Sequence, residues 1–395
     1  METWFFIGKR RWAKMKKIKL SVLCLLCLVL GSSTAFGKAV TGVAIVNQAI
    51  GVRQLGMAEV ATGLSDDAAA MHYNPAGIAT VRKIELNAMY HQNIIDTRNE
   101  ALNLVYPLKK GLLFHNKAGI GIGVLAYQGG NIEVIMLTED ESSVKSREVL
   151  KAESDYQIGL SYSEEIAKFS GNTYAGVMVK WIQSTLVEKY RASAFGVDMG
   201  LLHKVGGFGL GIALHNIGTE MKFIEVADSL PFTIRLGGSY ERKIGKIVKM
   251  VIGVDGIKVQ KDDMRYNLGG ECWIGDILGV RAGYKINDDN KVSIGASIRY
   301  EWVQLDYGYK LMDVFSNTHQ AAITLRMGSP KISKGAKIKQ MKKHYMRATR
   351  YYKKRMYKEA IEEWEKVLKI DPNHKQSKEL IEKTKKKMKQ ITKKL

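Results

Sequence analysis

Stretches in which apolar and polar side chains strictly alternate recur from residue 85 to residue 327, and they limit this part of the chain to sheet architectures. In 291–300, Val292, Ile294, Ala296, Ile298 and Tyr300 share one face, while Ser293, Gly295, Ser297 and Arg299 share the other. Val303, Leu305, Tyr307 and Tyr309 alternate with Gln304, Asp306, Gly308 and Lys310. Ala321, Ile323, Leu325 and Met327 alternate with Gln320, Ala322, Thr324 and Arg326. A period of two is the period of a strand, whose successive side chains leave on opposite faces. A soluble sandwich alternates in the same way, so strand length has to separate the two. Many of these segments run about ten residues, enough to cross a bilayer when tilted, whereas soluble strands run about five or six.

Fourteen strands are expected, at 85–92, 99–107, 117–127, 153–163, 172–186, 191–203, 206–216, 231–243, 247–258, 264–275, 278–287, 291–300, 302–310 and 318–327. With a periplasmic N-terminus, the long connections 128–152 and 217–230 both fall outside, and the turns at the other end are short. That asymmetry is the outer-membrane pattern. An apolar run at 131–137 leaves room for an added hairpin. Aromatics near strand ends (Tyr90, Tyr106, Tyr127, Tyr162, Tyr174, Tyr190, Tyr240, Tyr266, Trp273, Tyr284, Tyr300, Trp302 and Tyr309) match two interfacial girdles, although tyrosine favours strands in any setting.

The formal net charge of +22 invites a nucleic-acid reading until the charge is located. Residues 1–37 hold 7 Lys and Arg against one acid, and residues 331–395 hold 23 against 7. The stretch between is balanced, with 31 of each sign, so no nucleic-acid partner is expected there. Residues 1–37 read as a signal peptide: Lys16, Lys17 and Lys19, an apolar run from Leu20 to Leu30, and small residues at Ala35-Phe36-Gly37. Met15 is an alternative start, and an uncleaved anchor is the alternative reading. Cys24 and Cys27 fall in the signal, leaving Cys272 alone in the mature chain, which excludes an internal disulfide and a cysteine metal cluster.

Between signal and strands, 38–84 is rich in Gly and Ala and differs in composition from the strand region after it. Its centre is Ser65-Asp66-Asp67-Ala68-Ala69-Ala70-Met71-His72-Tyr73-Asn74-Pro75-Ala76-Gly77. Ser65 or Asp66 can cap a short helix over the alanines, Asn74 before proline leaves the α region, and Gly77 permits a tight exit. Together with Leu55-Gly56-Met57-Ala58, this stretch resembles the plug region of the PorV/PorQ family and of FadL-like outer-membrane barrels. Leu305-Asp306-Tyr307-Gly308-Tyr309-Lys310 and Leu325-Arg326-Met327 resemble the closing hairpin of PorV-type barrels. Those barrels usually end on an aromatic, whereas this chain continues past Met327-Gly328.

The resemblance implies an all-β transmembrane barrel of about fourteen antiparallel strands in the outer membrane of a diderm bacterium, in contact with its lipid. The plug occupies 38–84 and the barrel 85–328, with Asp66, Asp67, Asn74, Pro75, Ala76 and Gly77 fixing the plug's last turn ahead of the first strand. It implies a non-enzymatic part in protein export or surface assembly. The alternative is a FadL-like channel with a hydrophobic ligand in its lumen.

Residues 331–395 read as a Lys-rich helical module. Ala348, Tyr351, Ala360, Trp364 and Pro372 match the small and aromatic positions of one tetratricopeptide repeat. One repeat cannot bury a continuous core, so the module must dock on the barrel, on another copy or on a partner; with the resemblance above, a periplasmic or secretion-system protein is the expected partner. Nothing in the sequence calls for a cofactor, a catalytic group or a metal. Gly119-x-Gly121-x-Gly123 and Gly207-x-Gly209-x-Gly211 lack the spacing and following helix of a phosphate loop, and read as strand positions where one face is kept small. His215-Asn216 stands in no hydrolase motif, and Asp262-Asp263 and Asp288-Asp289 read as turn chemistry, with a loop calcium site as the weaker alternative.

Overall fold

The computed structural model describes residues 44–93, 96–137, 144–168, 170–225, 227–245, 247–287, 292–312, 317–328 and 334–392. The signal segment, residues 38–43 and Asp288-Asp289 therefore lie outside the described residues. The strands are β1 (Ile84–Gln92), β2 (Arg98–Leu108), β3 (Ala118–Gln128), β4 (Asn131–Leu137), β5 (Val144–Lys151), β6 (Glu153–Ala167), β7 (Asn172–Leu186), β8 (Tyr190–Val205), β9 (Phe208–Gly218), β10 (Glu220–Lys222), β11 (Ala227–Ser229), β12 (Thr233–Ile244), β13 (Val248–Val259), β14 (Met264–Ile274), β15 (Leu278–Ile286), β16 (Val292–Tyr300), β17 (Val303–Leu311) and β18 (Thr318–Met327).

Fourteen of them form one closed antiparallel barrel, and β4–β5 and β10–β11 form separate two-stranded sheets. The barrel closes where β1 pairs with β18, from Ile84 opposite Met327 to Gln92 opposite His319. Closure satisfies every edge, which a bilayer demands because it offers no water to an unpaired backbone group. The apolar run at 131–137 is β4, paired with β5 in a hairpin outside the barrel order.

The alternation sorts inside out. On β16, Ile294, Ile298 and Tyr300 are 47%, 60% and 75% exposed on the outer wall, while Ser293 and Ser297 are buried against the lumen. Leu160, Val179, Phe195, Ile252 and Leu305 repeat the pattern around the wall. Such a continuous apolar exterior suits lipid. The aromatics divide. Tyr90, Tyr106, Tyr284, Tyr300 and Trp302 face out, but Tyr127, Tyr174 and Trp273 are buried. These three share parity with the lumen-facing positions of their strands, so they belong to no girdle. Among the described residues no helix is long and apolar enough to cross a membrane.

Residues 44–83 fill the lumen. A 3-10 turn (Ile45–Asn47), helix α1 (Val52–Gly56) and two 3-10 helices (Ala68–His72 and Pro75–Thr80) make up this plug. Its helices stay short because the backbone turns at Gly51 (φ 92), Ala58 (φ 53) and Glu59 (φ 64), each in the left-handed region.

A second unit is helical: α2 (Lys334–Lys353), α3 (Tyr357–Ile370) and α4 (Lys375–Thr392). Ala348, Ala360, Trp364, Val367 and Ile381 form its core, with Tyr351 and Tyr352 packed against them. The two alanines let α2 and α3 approach, and the Trp364 and Tyr352 rings fill the gap at 5.8 Å between centroids. Pro372 lies exposed between α3 and α4.

Candidate functional site

The stretch Asp66–Gly77 forms the middle of the plug. Asp67, rather than Ser65 or Asp66, caps the alanine helix, accepting from Ala70 N at 3.0 Å. Ser65 is turned inward, its hydroxyl donating to Ala61 O at 2.8 Å. Asp66 pairs instead with Arg53. Asn74 is extended (φ −156, ψ 101), as a residue before proline must be. The next element is a second 3-10 helix, Pro75–Thr80, so the proline starts an element where a stop is expected. Asn74 holds both sides of the interface. Its Oδ1 accepts from Ala76 N at 3.1 Å, and its Nδ2 donates to Thr62 O at 2.9 Å and to Leu201 O on β8 at 3.0 Å. Gly77 serves close approach rather than an unusual backbone angle, since a Cβ there would stand 2.3 Å from Ser65 Cβ.

The period-two glycines of the wall form the seat. A Cβ at Gly119 would meet Ile78 O at 2.7 Å, one at Gly209 would meet Gly63 O at 2.2 Å, and one at Gly211 would meet Thr62 O at 2.0 Å. Plug backbone therefore lies directly on wall backbone.

Charge ties the two together. Arg53 forks onto Glu271 of β14, with Nε and Nη2 each 2.8 Å from a carboxylate oxygen, and its Nη1 reaches Asp67 at 2.9 Å as well as Asp66. Glu271 also receives Arg281 Nε at 2.6 Å. Asp255 of β13 accepts from Ala61 N (3.1 Å), Thr62 N (3.0 Å), Thr62 Oγ1 (2.6 Å) and Arg235 (3.2 Å). Lys285 meets Glu59 at 2.6 Å, and Arg326 and Ala68 N both reach Glu85. Buried charges of this kind persist only when paired and hydrogen-bonded.

The plug's titratable groups carry the imprint. Burial alone would raise the Glu59 carboxyl, but Lys285 and Arg235 outweigh it and hold it at about 2. Burial likewise opposes Asp66, yet Arg53, Lys204 and Lys249 keep it well below the usual carboxylate range. Burial pulls His72 down to about 4, against the hydrogen bond it shares with Asn103 at 2.8 Å.

Two polar cavities of about 210 Å³ each flank the plug and share no lining residue. The one toward the short turns is lined by Arg53, Asp66, Asp67, Glu271, Arg299 and Arg326 among others. The other, toward the long connections, has five basic side chains (Lys180, Arg235, Arg265, Lys285, Lys310) against two acids, Glu59 and Asp198. Beside it is a bulge in the wall. The β8–β9 register shifts between Val197 and Met199, so that His215 and Asn216 stand opposite Asp198. Asn216 adopts φ 62 there and donates its N–H to Asp198 at 2.8 Å. Lys180 bridges Asp198 and Asn216 at 2.8 and 2.6 Å, and His215 Nε2 lies 3.0 Å from Tyr73 O of the plug. His215 thus has a positional role linking wall to plug.

An apolar cluster lies in the same outer half of the lumen. Ile45, Ile50, Val52 and Tyr73 come from the plug, Met89, Leu125, Tyr127 and Ile182 from the wall, and Met221 and Leu230 from the connection between β9 and β12, with Phe223 packed against them. Among the described residues no group of three or more His, Cys, Asp or Glu is placed to hold a metal.

Sequence reading passed over Arg53, Asp255, Glu271 and Arg281. The signal was present, since each acid or arginine on β13–β15 falls at a lumen-facing position. Alternation omits which strand brings it to which plug residue.

Comparison with known proteins gives two partial family matches: the tetratricopeptide repeat over residues 342–374, and an uncharacterised protein family, UPF0164, over residues 34–122. No curated protein matches the chain in sequence. Among solved structures, the Ralstonia pickettii toluene transporter TbuX is similar at 10% identity and a TM-score of 0.47, over 70% of this chain and 98% of that one. The Pseudomonas putida toluene transporter TodX is similar at 12% identity and a TM-score of 0.47, over 69% and 95%. A Pseudomonas aeruginosa FadL homologue is similar at 10% identity and a TM-score of 0.43, over 71% and 98%.

Proposed function

We propose that this chain is a plugged outer-membrane channel for small hydrophobic molecules. The observation that carries the reading is the apolar cluster in the outer half of the lumen, where Ile50, Tyr73, Met89, Ile182, Met221 and Leu230 meet. A pore for hydrophilic solutes is lined by polar groups and water. Ile45, Ile50 and Tyr73 of this cluster also line the adjoining cavity with Ile257 and Val259, and there they offer an apolar solute a surface that favours its leaving water. The adjoining cavity, rich in basic side chains, suits an anionic end on such a solute. Passage requires the plug to shift, because its backbone lies on the wall glycines. Its attachments are polar, and polar contacts can be exchanged for water.

The test is uptake of a labelled alkylbenzene and a labelled long-chain acid by a host strain deleted for its own hydrophobic channels. Uptake above the empty-vector strain is expected, and uptake equal to it rejects the proposal.

A second role is proposed for residues 331–395, favoured by the tetratricopeptide match. The last barrel strand ends on the side of the short turns, which is the periplasmic side in barrels of this asymmetry. We place the helical unit in the periplasm, as a docking module for a protein of the export or surface-assembly apparatus. The resemblance to PorV/PorQ barrels lies in the plug stretch and the closing hairpin, and this module adds the reason to favour an export or assembly role. Deleting 331–395 should alter the set of surface proteins, and an unchanged surface proteome rejects this second role.

A further inference from the structure

The connection between β2 and β3 does something unusual for a short turn. Residues 111–116 fold back onto the lipid-facing wall and cover Glu164. On β6, Ile158 and Leu160 face lipid at 43% and 61% exposure, and Glu164 shares their parity. A bare carboxylate there would be costly. The turn masks it with Leu113 N at 2.9 Å, Phe114 N at 2.8 Å and Asn116 N at 3.1 Å, and Tyr162 donates its hydroxyl at 2.6 Å. Leu112 N donates in turn to the Tyr162 hydroxyl at 2.8 Å, and Gly111 N to Asn116 O at 2.8 Å. Gly111 is required for the approach, since a Cβ there would lie 2.1 Å from the Glu164 carboxyl carbon.

The backbone is thus satisfied, and the side chains it displays are apolar. Leu112, Leu113 and Phe114 are 73%, 72% and 54% exposed. Leu113 and Phe114 form one side of a groove of about 470 Å³, and Val177, Met199, Leu201 and Ile212 of the outer wall form the other. Two lysines precede the apolar triplet in sequence, Lys109 and Lys110, both exposed. Lys117 and Lys168 lie instead beside Glu165, on the lumen-facing side of β6, at 4.0 and 3.7 Å.

We infer that this groove is a binding site for one anionic diacyl phospholipid, its acyl chains between the turn and the wall and its phosphate on Lys109 and Lys110. The combination is what carries the inference. An apolar slot fixed by a rigid turn takes acyl chain, and a basic rim selects an anionic headgroup over a zwitterionic one. An ordinary lipid-facing wall is apolar but has neither the turn-bound slot nor the basic rim.

The test uses the full-length protein in nanodiscs of equimolar phosphatidylglycerol and phosphatidylcholine, followed by a detergent wash and mass spectrometry of the lipid that stays bound. The native protein should retain phosphatidylglycerol several-fold over phosphatidylcholine. Lys109→Gln with Lys110→Gln should remove that preference. Leu113→Ser with Phe114→Ser should abolish retention of both lipids, and the milder Phe114→Ala should weaken it in a barrel whose folding is verified by its gel mobility without heating. Equal retention of the two lipids by the native protein overturns the inference. So does retention of a free fatty acid in place of diacyl lipid, or retention unchanged in the variants.

Discussion

Arg53 donates to Asp66 and Asp67 within the plug and to Glu271 on the wall, so one guanidinium joins two parts of the chain far apart in sequence. Replacing it with methionine keeps most of the volume and leaves three carboxylates facing each other with one cation fewer. Loss of one partner from a buried ionic cluster costs about 3–5 kcal/mol. Arg53→Met should therefore lower stability toward urea by that order, and a change below about 1 kcal/mol would mean that water already screens the cluster. His72 makes a pH prediction. Its folded-state pKa of about 4 lies below the ordinary 6.5, so the unfolded chain takes up the proton first. Stability attached to this residue is complete above pH 6.5 and falls as pH drops toward 4, by at most about 1.4 kcal/mol per pH unit. Glu59 acts in the same direction at lower pH, its contribution being lost as pH falls from the ordinary carboxylate value through about 2. Urea unfolding at about pH 7 and about pH 4.5 should show His72→Gln losing less stability than the native chain on acidification. Equal losses would assign His72 an ordinary pKa.

At the level of elements, the strands were legible and their partners within the lumen were not. β7 and β18 end where the alternation ends, because lipid on one side and plug on the other impose opposite chemistry on successive residues. The same parity assigns Tyr127, Tyr174 and Trp273 to the lumen, and reading them as girdle aromatics from strand-end position alone ignored it. The Asn74-Pro75 step marks a boundary by local sterics. That a second 3-10 helix begins there depends on the wall glycines that Pro75–Thr80 lies against, and these are contacts no local rule contains. Among the described residues β4 and β5 pair with no barrel strand, and Lys151 N donates to Glu188 at 3.2 Å in an exposed setting, so deletion of 131–151 with a short replacement turn should leave the barrel's unheated gel mobility and urea midpoint unchanged. The connection 219–232 differs, because Met221 and Leu230 are packed into the lumen cluster. Met221→Ser with Leu230→Ser should loosen the mouth and raise permeability to small antibiotics, measured as a lowered inhibitory concentration. An unchanged value would show that the plug alone seals the barrel.

At the level of the whole molecule, the chain combines a wall that turns its apolar side outward, a plug seated on glycine and tied by charge, and a helical unit with a separate core. Deleting 331–395 should leave the barrel folded with its plug, because the core of that unit is made of its own residues, Ala348, Ala360, Trp364 and Ile381. In the proposed channel, hydrophobic solutes pass when the plug moves, and a covalent lock on the plug separates a moving plug from a fixed one. A Cβ at Gly308 would lie 3.1 Å from Val52 Cγ1, close enough for Val52→Cys with Gly308→Cys to bridge α1 to β17 in a Cys272→Ser background. Uptake of labelled alkylbenzene should fall to the empty-vector level when the bridge is oxidised and return on reduction. Uptake that is the same in both states would rule out a moving plug, since solute would then be crossing without its displacement.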